Sequence, residues 1–249
     1  MTAAPPVPGN LDDYVALLTE LAGLGYRACG FLDAEPDRPD LILRHDIDMS
    51  VDCAVAMGEA EAAQGIAASY FVLLRSELYN AWSPASRDGL QQLGALGHEI
   101  GLHFDAALYP GEIAALDRAC ADECAQLEAI LGQPVRLVSF HRPAPALRGL
   151  DRPIGSRRHA YEPRFFEAIG YCSDSNGGWY HGPPLAHDAV RARRALQLLT
   201  HPVWWVAPGA TAAERLDRIL TERVDALDRA LAENCRAHET GWRERQVGR

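Results

Sequence analysis

Residues that could carry out acid–base or metal chemistry follow five apolar segments of the sequence, each of which reads as a buried strand. These residues are Asp46, Asp48, His103, Asp105, His141, Arg142, Asp174 and His201. Parallel α/β folds build their functional sites at the carboxyl ends of their strands. Five such strand ends in succession therefore predict one functional site at that edge of a sheet.

Asp46 and Asp48 are two residues apart on a predicted strand, so their side chains lie on one face and His45 lies on the other. Two neighbouring carboxylates repel each other unless a cation lies between them or one of them holds a proton. A divalent metal ion removes this repulsion, because one carboxylate can bind the ion while the other takes a proton from the attacking water. The alternative interpretation is an aspartate pair that caps the next helix.

The elements that must position these residues alternate between strands and helices along the chain. Strands are predicted over 40–48, 66–74, 98–102, 135–140, 170–173 and 196–200. Helices are predicted over 11–25, 51–64, 87–96, 111–131, 163–169 and 211–239. This order predicts an α/β fold with a parallel sheet and outer helices, either a barrel or an open doubly wound sheet. We expect a disordered leader over 1–10 and a single domain over 11–249.

Composition excludes several classes of protein. The formal net charge is −10 and the basic residues form no long run, which argues against a nucleic-acid partner. No apolar stretch is long enough to span a bilayer, and Met1–Asn10 lacks the features of a secretory signal, so we predict a cytoplasmic protein. The six cysteines are scattered and predict neither disulfides nor a zinc cluster. The sequence does not indicate an oligomeric state.

Five short motifs occur in a fixed order between Leu41 and Trp205. They are Arg44-His-Asp-Ile-Asp48, Gly97-His-Glu-Ile-Gly-Leu-His103, Phe140-His-Arg-Pro143, Ser173-Asp-Ser-Asn-Gly-Gly-Trp179 and Leu199-Thr-His-Pro202. The ordered set resembles the NodB-like polysaccharide deacetylases (carbohydrate esterase family 4), in their His-Asp-Val-Asp branch. The resemblance implies a distorted (β/α) barrel and metal-dependent deacetylation.

The resemblance also implies a metal site. It assigns Asp48 and His103 as metal ligands, with zinc as the expected ion and cobalt, nickel or manganese as alternatives. The second motif of the family usually supplies two histidines four residues apart, but this chain has Ala107 at the second position. We predict Asp105 as the third ligand because it can share the strand face of His103, and His141 is the other candidate.

The catalytic roles implied by the resemblance belong to four residues. Asp46 is the general base, and Arg142 orients it through a charge-assisted pair. His201 is the general acid that protonates the leaving amine, and Asp174 holds His201 or a basic side chain in place. Among the aromatic residues, Trp179 is expected to line the substrate pocket, whereas Tyr70 and Trp204 either line a sugar-binding cleft or pack in the core.

The predicted reaction is hydrolysis of a carbon–nitrogen bond other than a peptide bond, most simply the N-deacetylation of an amino sugar or a glycoconjugate intermediate. One alternative is hydrolysis of a small cyclic ureide, which the departure at Ala107 leaves open. Another is a pseudoenzyme that binds carbohydrate without catalysis. The presence of Asp46, Arg142 and His201 together favours an enzyme, because binding alone requires no base and no acid.

Overall fold

The computed structural model of the chain describes residues 8–180 and 182–247, so most of the predicted leader lies outside the described residues. The strands in the described residues are β1 (Arg27–Ala28), β2 (Asp40–Ile47), β3 (Ser69–Val72), β4 (Glu99–Phe104), β5 (Leu137–Phe140), β6 (Arg158–His159), β7 (Gly170–Ser173) and β8 (Leu196–Thr200). The helices are α1 (Leu11–Gly23), α2 (Val51–Ala62), α3 (Pro84–Ala95), α4 (Ile113–Leu131), α5 (Pro163–Phe166), α6 (Asp188–Arg191), α7 (Val203–Val206), α8 (Ala212–Asn234) and α9 (Trp242–Val247).

The strands form one parallel sheet in the order β6-β5-β4-β3-β2-β8-β7, and β1 pairs with the start of β2. Seven of these strands curl into a half-barrel with helices around it, which confirms the predicted distorted (β/α) barrel. All six predicted strands are present. The two strands that the sequence did not predict, β1 and β6, have two residues each, too few to show a hydrophobic period.

Local sequence explains how the elements near the site begin and end. Asn10 caps α1 through a capping box with Asp13, which satisfies backbone N–H groups at the first turn. α4 ends where Gly132 adopts a left-handed conformation, with φ of 72°, that costs other residues steric energy. β2 is buried along its whole length, as its apolar start predicts for a central parallel strand.

The chain divides into two compact units, Met1–Val206 and Ala207–Arg249. The first unit contains every strand and every candidate site residue, and the second contains α8 and α9. The single domain over 11–249 stays a prediction. Of the helices in the described part of the chain, none combines the length and the apolar character needed to cross a membrane.

Candidate active site

The inner face of β2 carries the centre of the site. Because side chains alternate along a strand, Ile42, Arg44, Asp46 and Asp48 follow one another on this face towards its carboxyl end. Ile42 packs in the buried hydrophobic cluster, and the polar residues lie beyond it. The curl of the sheet then brings the ends of other strands close to β2. β2 and β4 have β3 between them, about 9.6 Å in a flat sheet, yet Nε2 of His103 lies 3.3 Å from Oδ1 of Asp48.

Asp46 is held by Arg44, which is fully buried. Arg44 donates from Nε to Oδ1 of Asp46 at 3.0 Å and from Nη2 to Oδ2 at 2.8 Å. Burial by itself raises the pKa of Asp46, but the positive charge of Arg44, with His103 and His201, lowers this pKa below its ordinary value. Asp46 is therefore a carboxylate at neutral pH and can accept a proton.

Arg142 does not make the predicted contact with Asp46. Its guanidinium binds Asp105 instead, with Nε at 3.1 and 3.0 Å from the two carboxylate oxygens and a further bond from Nη2. The reason is positional: Arg142 lies in the loop after β5, beside the end of β4 that carries Asp105. Arg44 already lies on the same strand face as Asp46. The buried carboxylate is therefore paired with a guanidinium from its own strand and needs none from the loop after β5.

Asp48, His103 and His141 form a group that could hold a metal ion, since their ligand atoms all lie within 4.8 Å of one another. Oδ1 of Asp48 is 3.3 Å from Nε2 of His103 and 3.7 Å from Nδ1 of His141. This oxygen is buried and makes no hydrogen bond to any described residue. A buried carboxylate oxygen that faces two imidazole nitrogens fits a divalent metal ion such as zinc, which takes these donors.

Asp105 is not part of this group, which corrects its prediction as the third ligand. Its carboxylate accepts the bonds from Arg142, and Oδ1 also accepts from the backbone N–H of Ala107 at 3.2 Å. The chain turns directly after β4, so the carboxylate caps a short 3₁₀ helix over Ala106–Leu108. The imidazole that lies beside His103 is that of His141, the other candidate from the sequence.

His201 and Asp174 lie together at the ends of the neighbouring strands β8 and β7. Nδ1 of His201 is 2.7 Å from Oδ1 of Asp174. The Asp174 side chain is fully buried, and its Oδ2 accepts a hydrogen bond from Nε1 of Trp205 at 2.9 Å. Burial lowers the pKa of His201, but the hydrogen bond and the charge of Asp174, together with Asp48 and Asp46, raise it to about 9. His201 is therefore protonated at neutral pH, and its Nε2, 3.6 Å from Oδ2 of Asp48, faces the site.

Tyr70 lies behind the sheet and lines no substrate cleft, which corrects one alternative from the sequence. It is fully buried, and its hydroxyl donates to Oε2 of Glu61 at 2.7 Å. Tyr70 pairs in register with His45, whose side chain points away from Asp46, so both rings lie on the outer face. His45 bonds Glu61 at 2.8 Å and Thr200 at 2.7 Å, which links β2, α2 and β8 beneath the site.

A cavity of about 360 Å³ opens above these residues, with Asp46, Asp48, His103, His141 and His201 in its lining. The aromatic side chains in its wall are those of Phe140, Tyr161, Tyr171 and Trp204. Trp204 is largely buried but contributes to this wall, and its role in substrate binding stays a prediction. Trp179 is not in the wall of this cavity but packs against Trp205, with the ring centroids 6.1 Å apart.

No family model and no curated protein sequence matches the chain. Among solved structures, a family 4 carbohydrate esterase from Bacillus anthracis is similar over 84% of this chain and 86% of its own, with 15% identity and a TM-score of 0.44. A Streptococcus pyogenes deacetylase in complex with acetate is similar over 88% of this chain and 90% of its own, with 13% identity and a TM-score of 0.45. A carbohydrate esterase family 4 pseudoenzyme from Bacillus anthracis shares 13% identity over 77% of this chain and 63% of its own, with a TM-score of 0.40.

Proposed function

We propose that this protein is a metal-dependent hydrolase of carbon–nitrogen bonds other than peptide bonds, of the NodB-like deacetylase type. The observation that carries the proposal is the convergence of the buried Oδ1 of Asp48 with the imidazole nitrogens of His103 and His141. Next to it lies Asp46, a carboxylate that is kept ionised. A ligand group, a base and an acid in one cavity are the components that hydrolysis of an amide requires.

The roles of the side chains follow from their protonation states. A divalent ion held by Asp48, His103 and His141 would supply Lewis-acid chemistry at the amide carbonyl. Asp46 accepts the proton of the attacking water, and Arg44 orients Asp46 through its two hydrogen bonds. Arg44, and not Arg142, is thus the residue proposed to orient Asp46.

On the other side of the cavity, protonated His201 donates from Nε2 to the leaving amine. Asp174 holds Nδ1 and therefore fixes both the orientation of the ring and its charge. The base comes from β2 and the acid from β8, two strands that are hydrogen-bonded to each other. Asp46 starts the reaction deprotonated and His201 starts it protonated, as a general base and a general acid must.

We propose an amino sugar or a glycoconjugate intermediate as the substrate, with an acetamido group as the bond hydrolysed. Tyr161, Tyr171 and Trp204 offer aromatic surface for a sugar ring. The described lining of the cavity contains no lysine and no arginine, so an uncharged ring is favoured over an anionic one close to Asp46 and Asp48.

The test is turnover of a panel of N-acetylated sugars and nucleotide sugars by the zinc-loaded and cobalt-loaded protein. Release of amine and acetate is measured for wild type and for Asp46→Asn, which should be slower by roughly 10²–10⁴-fold. Turnover of cyclic ureides alone would show that the substrate is a cyclic ureide and not an N-acetylated sugar. Binding of glycans without any turnover would replace the enzyme with a carbohydrate-binding protein.

A further inference from the structure

His103 and His141 reach the same point from adjacent parallel strands, but their rings are fixed differently. Nδ1 of His103 is 2.6 Å from Oγ of Ser139, its register partner on β5, so this ring has a fixed orientation. The ring of His141 is about a third exposed and makes no hydrogen bond to any residue in the described part of the chain. Its Nδ1 faces Asp48 at 3.7 Å.

Metal-ligating histidines almost always have a hydrogen bond at the second ring nitrogen, because this bond sets the orientation of the ring. His141 therefore depends on its backbone for its position. One constraint is the bond from the N–H of His141 to the carbonyl of Phe104 at 3.0 Å, which continues the pairing of β4 with β5 by one residue.

The second constraint is the ion pair of Asp105 and Arg142. Asp105 is two residues beyond His103, and Arg142 is the residue directly after His141. The guanidinium approaches both carboxylate oxygens, so the two chain segments are joined at the point where the sheet pairing stops. The Asp105 side chain is 6% exposed and that of Arg142 is 58% exposed.

We infer that the Asp105–Arg142 pair is a positioning device for the metal site: it holds His141 against His103, with ring centroids 5.2 Å apart, and thereby raises the affinity for a divalent ion. The inference rests on the proposed metal site. It gives neither residue a direct contact with the ion or with Asp46, so it differs from both roles that the sequence implied for them.

The protein offers a matched control at the other end of β2. Arg27 donates from Nε and Nη2 to Oδ1 of Asp40 at 3.3 and 3.1 Å, and these side chains are 61% and 3% exposed. This pair therefore has nearly the same burial as Asp105–Arg142 but lies at the amino end of the sheet. Arg27→Gln and Arg142→Gln therefore remove the same group from ion pairs of similar exposure.

The experiment measures Zn²⁺ affinity by competition with a chromophoric chelator, and thermal unfolding in parallel. Arg142→Gln should lower the affinity by roughly 10–100-fold, the usual effect of losing a group that supports metal ligands. Arg142→Lys, which keeps the charge but not the fork of donors, should fall between wild type and Arg142→Gln. Arg27→Gln should stay within about twofold of wild type, as a surface change remote from the site does.

Equal Zn²⁺ affinity of wild type and Arg142→Gln would overturn the inference and leave the metal site itself intact. Equal losses in Arg142→Gln and Arg27→Gln would also overturn it, because the effect would then be one of general stability. Absence of Zn²⁺ binding by wild type would overturn the metal site and the positioning pair together.

Discussion

Arg44 and Asp46 form a fully buried ion pair between two residues on the same face of one strand, and the guanidinium binds both carboxylate oxygens. Such a pair is costly to break, because the remaining charge is left without its partner in a mostly buried position. The ionised form of Asp46, the proposed base, therefore also stabilises the folded protein through its pair with Arg44. This relationship leads to the first prediction.

Arg44→Met should lower the free energy of unfolding by about 3–5 kcal/mol, since it leaves Asp46 buried and charged without a partner. Urea unfolding followed by circular dichroism measures this change. The double variant Arg44→Met with Asp46→Asn should be less destabilised than Arg44→Met, because no uncompensated charge remains. A double variant in which the two losses simply add would contradict the pairing.

The Arg44–Asp46 pair also has a pH dependence. The pKa of Asp46 is below its ordinary value in the folded state, so the stability it contributes is fully present above about pH 4 and is lost at lower pH. Asp46→Asn should therefore flatten the acid side of the stability profile below about pH 4. An unchanged acid side of the stability profile in this variant would show that Arg44 does not lower the pKa of Asp46.

The second prediction concerns the hydrogen bond between His201 and Asp174. Because the pKa of His201 is raised to about 9, the imidazole is a proton donor below that pH and the rate should fall above it. Asp174→Asn removes the main group that raises this pKa, so the alkaline limb of kcat against pH should move to lower pH.

The control for this shift is Asp228→Asn, which removes the carboxylate that binds Nε2 of His238 at 2.8 Å in the second unit. This variant should leave the alkaline limb in place. If the alkaline limb of kcat lies at the same pH in wild type and in Asp174→Asn, His201 is not the general acid.

The third prediction separates an aromatic residue in the cavity wall from one behind the sheet. Tyr70→Phe leaves an oxygen of buried Glu61 without its donor and should cost about 1–3 kcal/mol of stability, with no change in KM. Trp204→Ala should raise KM, because it removes wall surface from the cavity. A raised KM in folded Tyr70→Phe would return Tyr70 to the substrate site.

The strands, and the edge of the sheet that carries the site, could be predicted from the sequence because apolar runs end in polar residues at regular intervals. Arg44 could also have been found: strand alternation puts it on the face of Asp46 and Asp48, the same rule that paired those two residues. The short strands β1 and β6 carry no such periodic signal.

Strand alternation alone could not show that His141, and not Asp105, lies beside Asp48 and His103. Spacing along one strand tells which residues share a face, but His141 reaches His103 from a different strand. That contact depends on the register of β4 and β5, in which His103 is opposite Ser139, and on the turn that directs Asp105 towards Arg142. Register between strands is a tertiary property. The same applies to Tyr70, whose position beside His45 follows from the pairing of β3 with β2.

The central claim is that Asp48, His103 and His141 together hold a metal ion, and elemental analysis after zinc loading and dialysis tests it most directly. Wild type should retain one divalent ion per chain, and His141→Ala should retain far less while keeping its fold. His238→Ala, which removes an imidazole from the second unit, should retain as much as wild type. A wild type without bound metal, or a His141→Ala variant with full occupancy, would contradict the account.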